Sequence, residues 1–314
     1  MKNNYLIRFD WAVKRMLRNK ANFAVLEGLL SVLLRDSIKI VNFGESESNQ
    51  EHPKDKFNRV DMLVTNSKGE LMIIEVQNNY EVDYLMRMLY GVSKTITEHI
   101  RKGERYGVIR KIYHINIVYF RIGNGKDYIY HGISDFRGIH NGEPLMLDEE
   151  QKKFFMKDEV KDLFPEYYLL CVLDFNNLAT NSLDEWMYYL KNTEIPESFT
   201  AQGLPEARQQ LRYDNLSDED KRAYDHHLNQ TLYEQNSLDD SFSKGRTEGE
   251  AIGLEKGRAE EKTKSDAAIA EEKAKNDAAI ADIVLKMKEN GILIEMICQY
   301  TGLSREQVEK ILDH

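Results

Sequence analysis

Apolar positions recur along this chain with two rhythms, one helical and one alternating, and the switches between them outline the elements. Residues 10–18 carry a helical pattern with Asp10 placed as N-cap. Asn22 can cap a second helix. On it Phe23, Leu26, Leu29, Leu30, Leu33 and Leu34 share an apolar face, and Glu27 falls in the middle. A strand is predicted near 37–43 and a polar loop over 44–56. Residues 59–65 and 70–77 are two apolar, β-branched runs separated by Asn66-Ser67-Lys68-Gly69. This spacing predicts a hairpin whose three-residue loop, Ser67-Lys68-Gly69, puts Gly69 in the left-handed position. Asn66 then faces Glu70 and Asp61 faces Glu75, while Gln77, two residues on, shares their side.

Helical periodicity returns over 81–102, where Arg87, Lys94 and Arg101 recur as one stripe and Tyr90 stands one turn beyond Arg87. Strands are predicted at 113–120, 127–133 and 167–173. Strand, strand, long helix, strand is an α/β or α+β order. Beyond Pro205, the last proline, nothing forbids helix, and 216–236 reads as one starting at a Ser217 cap. Residues 243–283 are rich in Ala, Glu, Lys and Gly. Ser265-Asp266-Ala267-Ala268-Ile269-Ala270 returns there as Asn276-Asp277-Ala278-Ala279-Ile280-Ala281. That repeat keeps Ile269 and Ile280 on one face. Gly245, Gly249, Gly253 and Gly257 weaken an isolated helix by about 1 kcal/mol each, which predicts a partly helical stalk, either self-associating or a solvated linker. Helices over 283–289, 292–300 and 304–312, with Thr301-Gly302-Leu303 as the turn and Ser304 and Gln307 as a capping box, predict a helix-turn-helix-like end. The expected division is therefore 1–240, 241–282 and 283–314.

Composition narrows the function classes. The 314 residues carry a formal net charge of −10, which taken whole disfavours nucleic acid as a partner. The average hides a split: Lys and Arg outnumber Asp and Glu 22 to 16 in residues 1–140 and are outnumbered 21 to 37 in the rest. A basic half of that kind can carry a nucleic-acid site. Two distant cysteines, Cys171 and Cys298, exclude a disulfide scaffold and a cysteine-based zinc site and suit a reducing cytoplasm. No apolar run is long enough to span a membrane, and Met1-Lys2-Asn3-Asn4 leads into charges, so neither a membrane helix nor a secretory leader is expected.

The candidate chemistry lies at Asp61, Glu75 and Gln77. Two carboxylates on neighbouring strands either share a hard divalent cation such as Mg²⁺ or face solvent from an open sheet. The backbone carbonyl of Val76, between the side chains of the second strand, could add an oxygen ligand. Gln77 is neutral and cannot act as an ammonium, but its amide can orient an attacking water.

These residues resemble the Rpn (recombination-promoting nuclease) group of the PD-(D/E)XK nuclease superfamily. Arg59-Val60-Asp61-Met62-Leu63 followed by Ile73-Ile74-Glu75-Val76-Gln77 looks like that group's D…E-x-Q core. Phe9-Asp10-Trp11-Ala12-Val13-Lys14, Leu26-Glu27-Gly28-Leu29-Leu30, Tyr84-Leu85-Met86-Arg87, Leu183-Asp184-Glu185-Trp186 and Gly203-Leu204-Pro205-Glu206-Ala207 continue the likeness over nearly the whole chain. The resemblance implies an α/β fold: a PD-(D/E)XK nuclease-like mixed sheet flanked by helices, followed here by the helical stalk and the small helical C-terminal unit. It implies a DNA endonuclease dependent on Mg²⁺, or another divalent ion such as Mn²⁺, linked to recombination or mobile elements. Asp61 and Glu75 would bind the metal, with Glu27 as a further helix carboxylate, and Gln77 would stand where many superfamily members carry lysine. Arg59, Arg87, Tyr90, Lys94 and Arg101 would contact DNA, unless Arg87 instead pairs with Asp83. The expected partner is DNA, with self-association through the C-terminal helical region. The rival expectation is a catalytically silent DNA-binding or structural partner in a transposition or recombination complex.

Overall fold

The computed structural model describes residues 5–44 and 61–313. The 44–56 loop beyond Gly44, and Arg59 with Val60, lie outside the described residues. By packing, the chain divides into one unit up to Thr231 and a second from Leu232.

In the first unit, α1 (Phe9–Arg15) and α2 (Phe23–Leu34) precede β1 (Ile40–Gly44) and the hairpin of β2 (Met62–Asn66) and β3 (Leu71–Gln77). Next come α3 (Tyr84–Glu98), β4 (Ile112–Val118), β5 (Ile129–Gly132), α4 (Glu149–Phe155), β6 (Glu166–Cys171), α5 (Ser182–Asn192) and α6 (Leu204–Gln210). Among the described residues the strands form one mixed sheet in the order β1-β2-β3-β4-β6-β5. β3 runs parallel to β4 and β4 to β6, while the remaining pairs are antiparallel. The hairpin has the register its turn chemistry predicts: Met62 pairs with Ile74, the amide of Asn66 donates to the carbonyl of Glu70, and Gly69 closes the turn at φ 78°.

Both faces of β3 are covered, which explains its unbroken apolar run. Met72, Ile74 and Val76 join the main core with residues of α1, α2, α5 and α6. Leu71 and Ile73 pack with Val92 and Ile96 of α3. Glu75 and Gln77 share that second side by alternation.

Several local expectations change. Asp10 is not an N-cap: Arg8 holds that position, and Asp10 lies wholly buried in the first turn of α1. The carboxylate accepts from Arg8 Nε (3.0 Å) and Asn78 Nδ2 (2.8 Å) and meets His227 Nε2 at 3.1 Å. Burial opposes its ionisation, but His227, Arg8 and Asn78 outweigh burial and hold the carboxyl well below the ordinary range. A depressed carboxyl stabilises the fold above its unfolded value near 3.8, and that contribution is lost as pH falls toward the folded value. Asp10→Asn is therefore expected to cost about 3 kcal/mol at neutral pH, since it leaves the half-buried Arg8 and His227 without the carboxylate that faces them. The gap from wild type should narrow below about pH 4. Melting curves across pH check both statements; a gap constant down to pH 2 contradicts them.

α3 ends at Glu98, so Arg101 lies beyond the helix rather than on its stripe. The segment over 243–283, expected to be partly helical, is continuous helix within α7 (Asp218–Glu289). Ala, Glu and Lys propensity and pairs such as Glu271–Lys275 (2.7 Å) and Asp282–Lys286 (2.6 Å) offset its glycines. In the second unit the end of α7, α8 (Ile294–Thr301) and α9 (Arg305–Leu312) pack around Val284, Ile297 and Val308. Ser304 and Gln307 form the expected capping box.

Candidate active site

The hairpin register sets Asp61, immediately before β2, opposite Glu75 near the end of β3. Asp61 Oδ2 accepts from the amide of Val76 at 2.7 Å. Val76 thus turns its N–H toward Asp61, and in an extended strand its carbonyl leaves the backbone on that same side. Asp61 Oδ1 lies 3.6 Å from Lys14 Nζ on α1, and Arg18 donates to the Asp61 carbonyl at 2.7 Å. Burial pushes the Asp61 carboxyl above its ordinary value; Lys14 and the Val76 amide oppose that shift, and the charge of Glu75 adds to it.

Glu75 is 2% exposed and sits between β3, β4 and α3. Its Oε2 is 3.6 Å from Arg87 Nε, and its Oε1 is 3.7 Å from Nε2 of the fully buried His114. Neither gap is a hydrogen bond. Among the described residues, Glu75 Oε1, Arg87 Nε and both ring nitrogens of His114 consequently remain buried without hydrogen-bond partners. Beside them Tyr84 donates to Asn116 Oδ1 at 3.0 Å, and burial, with Glu75 next, holds its phenol well above the ordinary value.

Gln77 donates from Nε2 to Glu81 Oε1 at 2.9 Å, and Arg87 donates to the same oxygen at 2.6 Å. A carboxylate only accepts, so this bond fixes the orientation of the Gln77 amide and leaves its carbonyl oxygen on the other side.

Asp61, Glu75 and Gln77 thus converge, and Arg87 joins them as a brace. Glu27 does not. It is buried, and its oxygens accept from Lys39 Nζ (2.8 Å) and the Ile40 amide (2.9 Å). Ile40 pairs with Asn66, at the end of β2 away from Asp61, roughly 15 Å along the strand. Lys94 pairs with Glu98 at 3.7 Å, Tyr90 is exposed on α3, and Arg101 is exposed past its end. Lys14, Glu81, His114 and Asp10 were not among the expected site residues. Only Asp10 carried a signal, a charge inside the apolar run Phe9-Asp10-Trp11-Ala12-Val13.

Among the described residues no three His, Cys, Asp or Glu side chains come together as a ligand set. The pair itself still fits a hard cation: both groups are carboxylates, and Glu75 Oε1 is a buried oxygen that no described residue satisfies. Among the described residues no helix is long and apolar enough to cross a membrane.

No curated protein and no solved structure matches the chain. Residues 7–241, which include every residue of this site, match the model of a family described as PD-(D/E)XK nuclease family transposase. With that match spanning the sheet, its helices and the facing carboxylates, the chain belongs to the PD-(D/E)XK nuclease family transposases.

Proposed function

We propose that this protein is a DNA endonuclease that hydrolyses phosphodiester bonds with Mg²⁺ or Mn²⁺ held by Asp61 and Glu75, in recombination or the movement of mobile elements. The observation that carries the reading is the buried, unsatisfied Glu75 Oε1 beside the facing Asp61. The chemistry a bound cation supplies is Lewis-acid offset of charge on a phosphate oxygen. The chain's own residues do the rest. The Gln77 carbonyl accepts from the attacking water and aligns it, while Glu81 holds the amide in place. Lys14 supplies the ammonium that Gln77 cannot, beside Asp61, where negative charge grows on the phosphate in the transition state. Arg87 braces Glu75 and Glu81, leaving Tyr90, Lys94, Arg101 and Arg59 as the residues proposed to meet DNA.

One observation favours the silent reading instead: Lys14 and Arg87 already counter the charge of the carboxylate pair, so the site can stand without a cation. Single-turnover cleavage of a labelled duplex with Mg²⁺ separates the two. The nuclease reading predicts cutting by wild type and about hundredfold slower cutting by Lys14→Met at saturating Mg²⁺. Salt-sensitive DNA binding without cutting by wild type favours the silent partner.

A further inference from the structure

A cleft of about 650 Å³ opens at the other end of the sheet from Asp61 and Glu75. Its wall includes Gly69 of the β2–β3 turn, Lys111 just before β4, and the segments 106–110 and 154–157. On β3 the cleft end is marked by Leu71 paired with Ile112, and the site end by Gln77 paired with Val118, about 20 Å away.

The wall presents rings to solvent. Tyr106 is 84% exposed and Phe154 60% exposed, and Met156 beside them is exposed too. Gly107 makes room for the Phe154 ring: a β-carbon there would meet Phe154 Cε1 at 2.6 Å. Exposed side chains of this size gathered in one cleft mark a binding surface.

The charges around it choose the occupant. Lys102, Arg105, Arg110 and Lys153 are exposed, and among the described residues no acid pairs with their side chains. Glu70, the buried acid of the wall, is neutralised by Lys157 (2.8 Å) and accepts from Asn66 Nδ2 (2.9 Å), which leaves Asp162 as the other wall acid. Rings flanked by unpaired cations suit a polyanion that carries flat bases. The volume is that of a small-molecule pocket, so it admits one or two bases and excludes a duplex.

A route connects the two places. α3 is about 22 Å long, with Arg87 of its first turn beside Glu75 and Ile96 of its last turn packed with Leu71 and Ile112. From that end the chain continues through Arg101, Lys102 and Arg105 into the cleft wall.

We propose that this cleft binds single-stranded DNA, stacking bases on Tyr106 and Phe154 while Arg105 and Arg110 hold the backbone, so that the site grips a strand separated from the duplex near the cut. The proposal rests on the nuclease reading for its purpose but not for its test. Anisotropy of fluorescein-labelled oligo(dT) and of a short duplex is measured with the full chain in EDTA, where no cutting occurs. The double variant Tyr106→Ala/Phe154→Ala is expected to bind oligo(dT) about tenfold more weakly and the duplex within twofold of wild type. Tyr106→Trp, which keeps a ring, should retain affinity. If the double variant melts early, Arg110→Glu gives the same comparison. Wild type that ignores oligo(dT), variants that bind it unchanged, or equal losses on both DNAs overturn the cleft. Intact oligo(dT) binding without any Mg²⁺-dependent cutting overturns the nuclease reading alone.

Discussion

Glu75→Gln is expected to give a folded protein that cuts DNA about a thousandfold more slowly, a loss of about 4 kcal/mol in transition-state stabilisation. The amide keeps the shape of the side chain but removes the charge that would hold the cation. Structural cost should be small. The carboxylate is buried without a hydrogen bond at Oε1, and Arg87 retains Glu81 at 2.6 Å when Glu75 is neutralised. Neutralising a buried carboxylate that lacks a hydrogen bond at one oxygen also removes its desolvation cost. The checks are single-turnover cleavage and a melting curve on the same preparation. A variant that cuts at the wild-type rate removes Glu75 from the chemistry. One that melts far below wild type makes it a structural residue.

The largest stability effect is expected at Gly28. A β-carbon there would lie 2.4 Å from the carbonyl oxygen of Gln202 and 2.4 Å from Gly203 Cα. Both are backbone atoms, so no side chain can swing aside. Gly203 is fixed in turn: its φ is 88°, and a β-carbon on it would meet Gly28 Cα at 2.8 Å and Trp186 at 3.0 Å. The contact locks α2 against the start of α6 and seats Trp186, whose indole donates to the Gln202 carbonyl at 3.1 Å. Gly28→Ala should cost about 3 kcal/mol or more, since relief requires the two helices to separate. In a unit of this size that lowers the melting temperature by roughly 10 °C. Calorimetry decides: a shift under 2 °C means the helices give way easily and the contact is not tight.

What the sequence made legible depended on how local the cause was. The facing of Asp61 and Glu75 follows from one turn, because Gly69 alone takes its left-handed conformation at no cost and the loop length then fixes every pair. The α/β order was readable for a similar reason, since each run of residues carries its own period. Lys14 beside Asp61 and Asp10 beside Asn78 were not, because α1 reaches the end of β3 only through the tertiary fold. Glu27 shows the converse limit. Its position on α2 was clear, but helical periodicity says nothing about which end of the sheet that turn meets, and the Ile40 amide claims it. Leu26-Glu27-Gly28-Leu29-Leu30 and Gly203-Leu204-Pro205-Glu206-Ala207 stood out as separate stretches; their pairing belongs to the packing of α2 on α6. Arg87 was placed on the right helix, yet its partners, Glu75 and Glu81, both lie off that helix. The sequence fixes the spacing of a side chain from the helix start but not the neighbour above it.

Supercoiled plasmid incubated with the full-length protein across a range of Mg²⁺ concentrations, with an EDTA control, tests the central claim most directly. The account predicts nicked or linear product that rises with Mg²⁺ and is absent in EDTA. It also predicts that Asp61→Asn/Glu75→Gln stays at background at every concentration while melting within a few degrees of wild type. Cutting that persists in EDTA, or in the folded double variant, would contradict it.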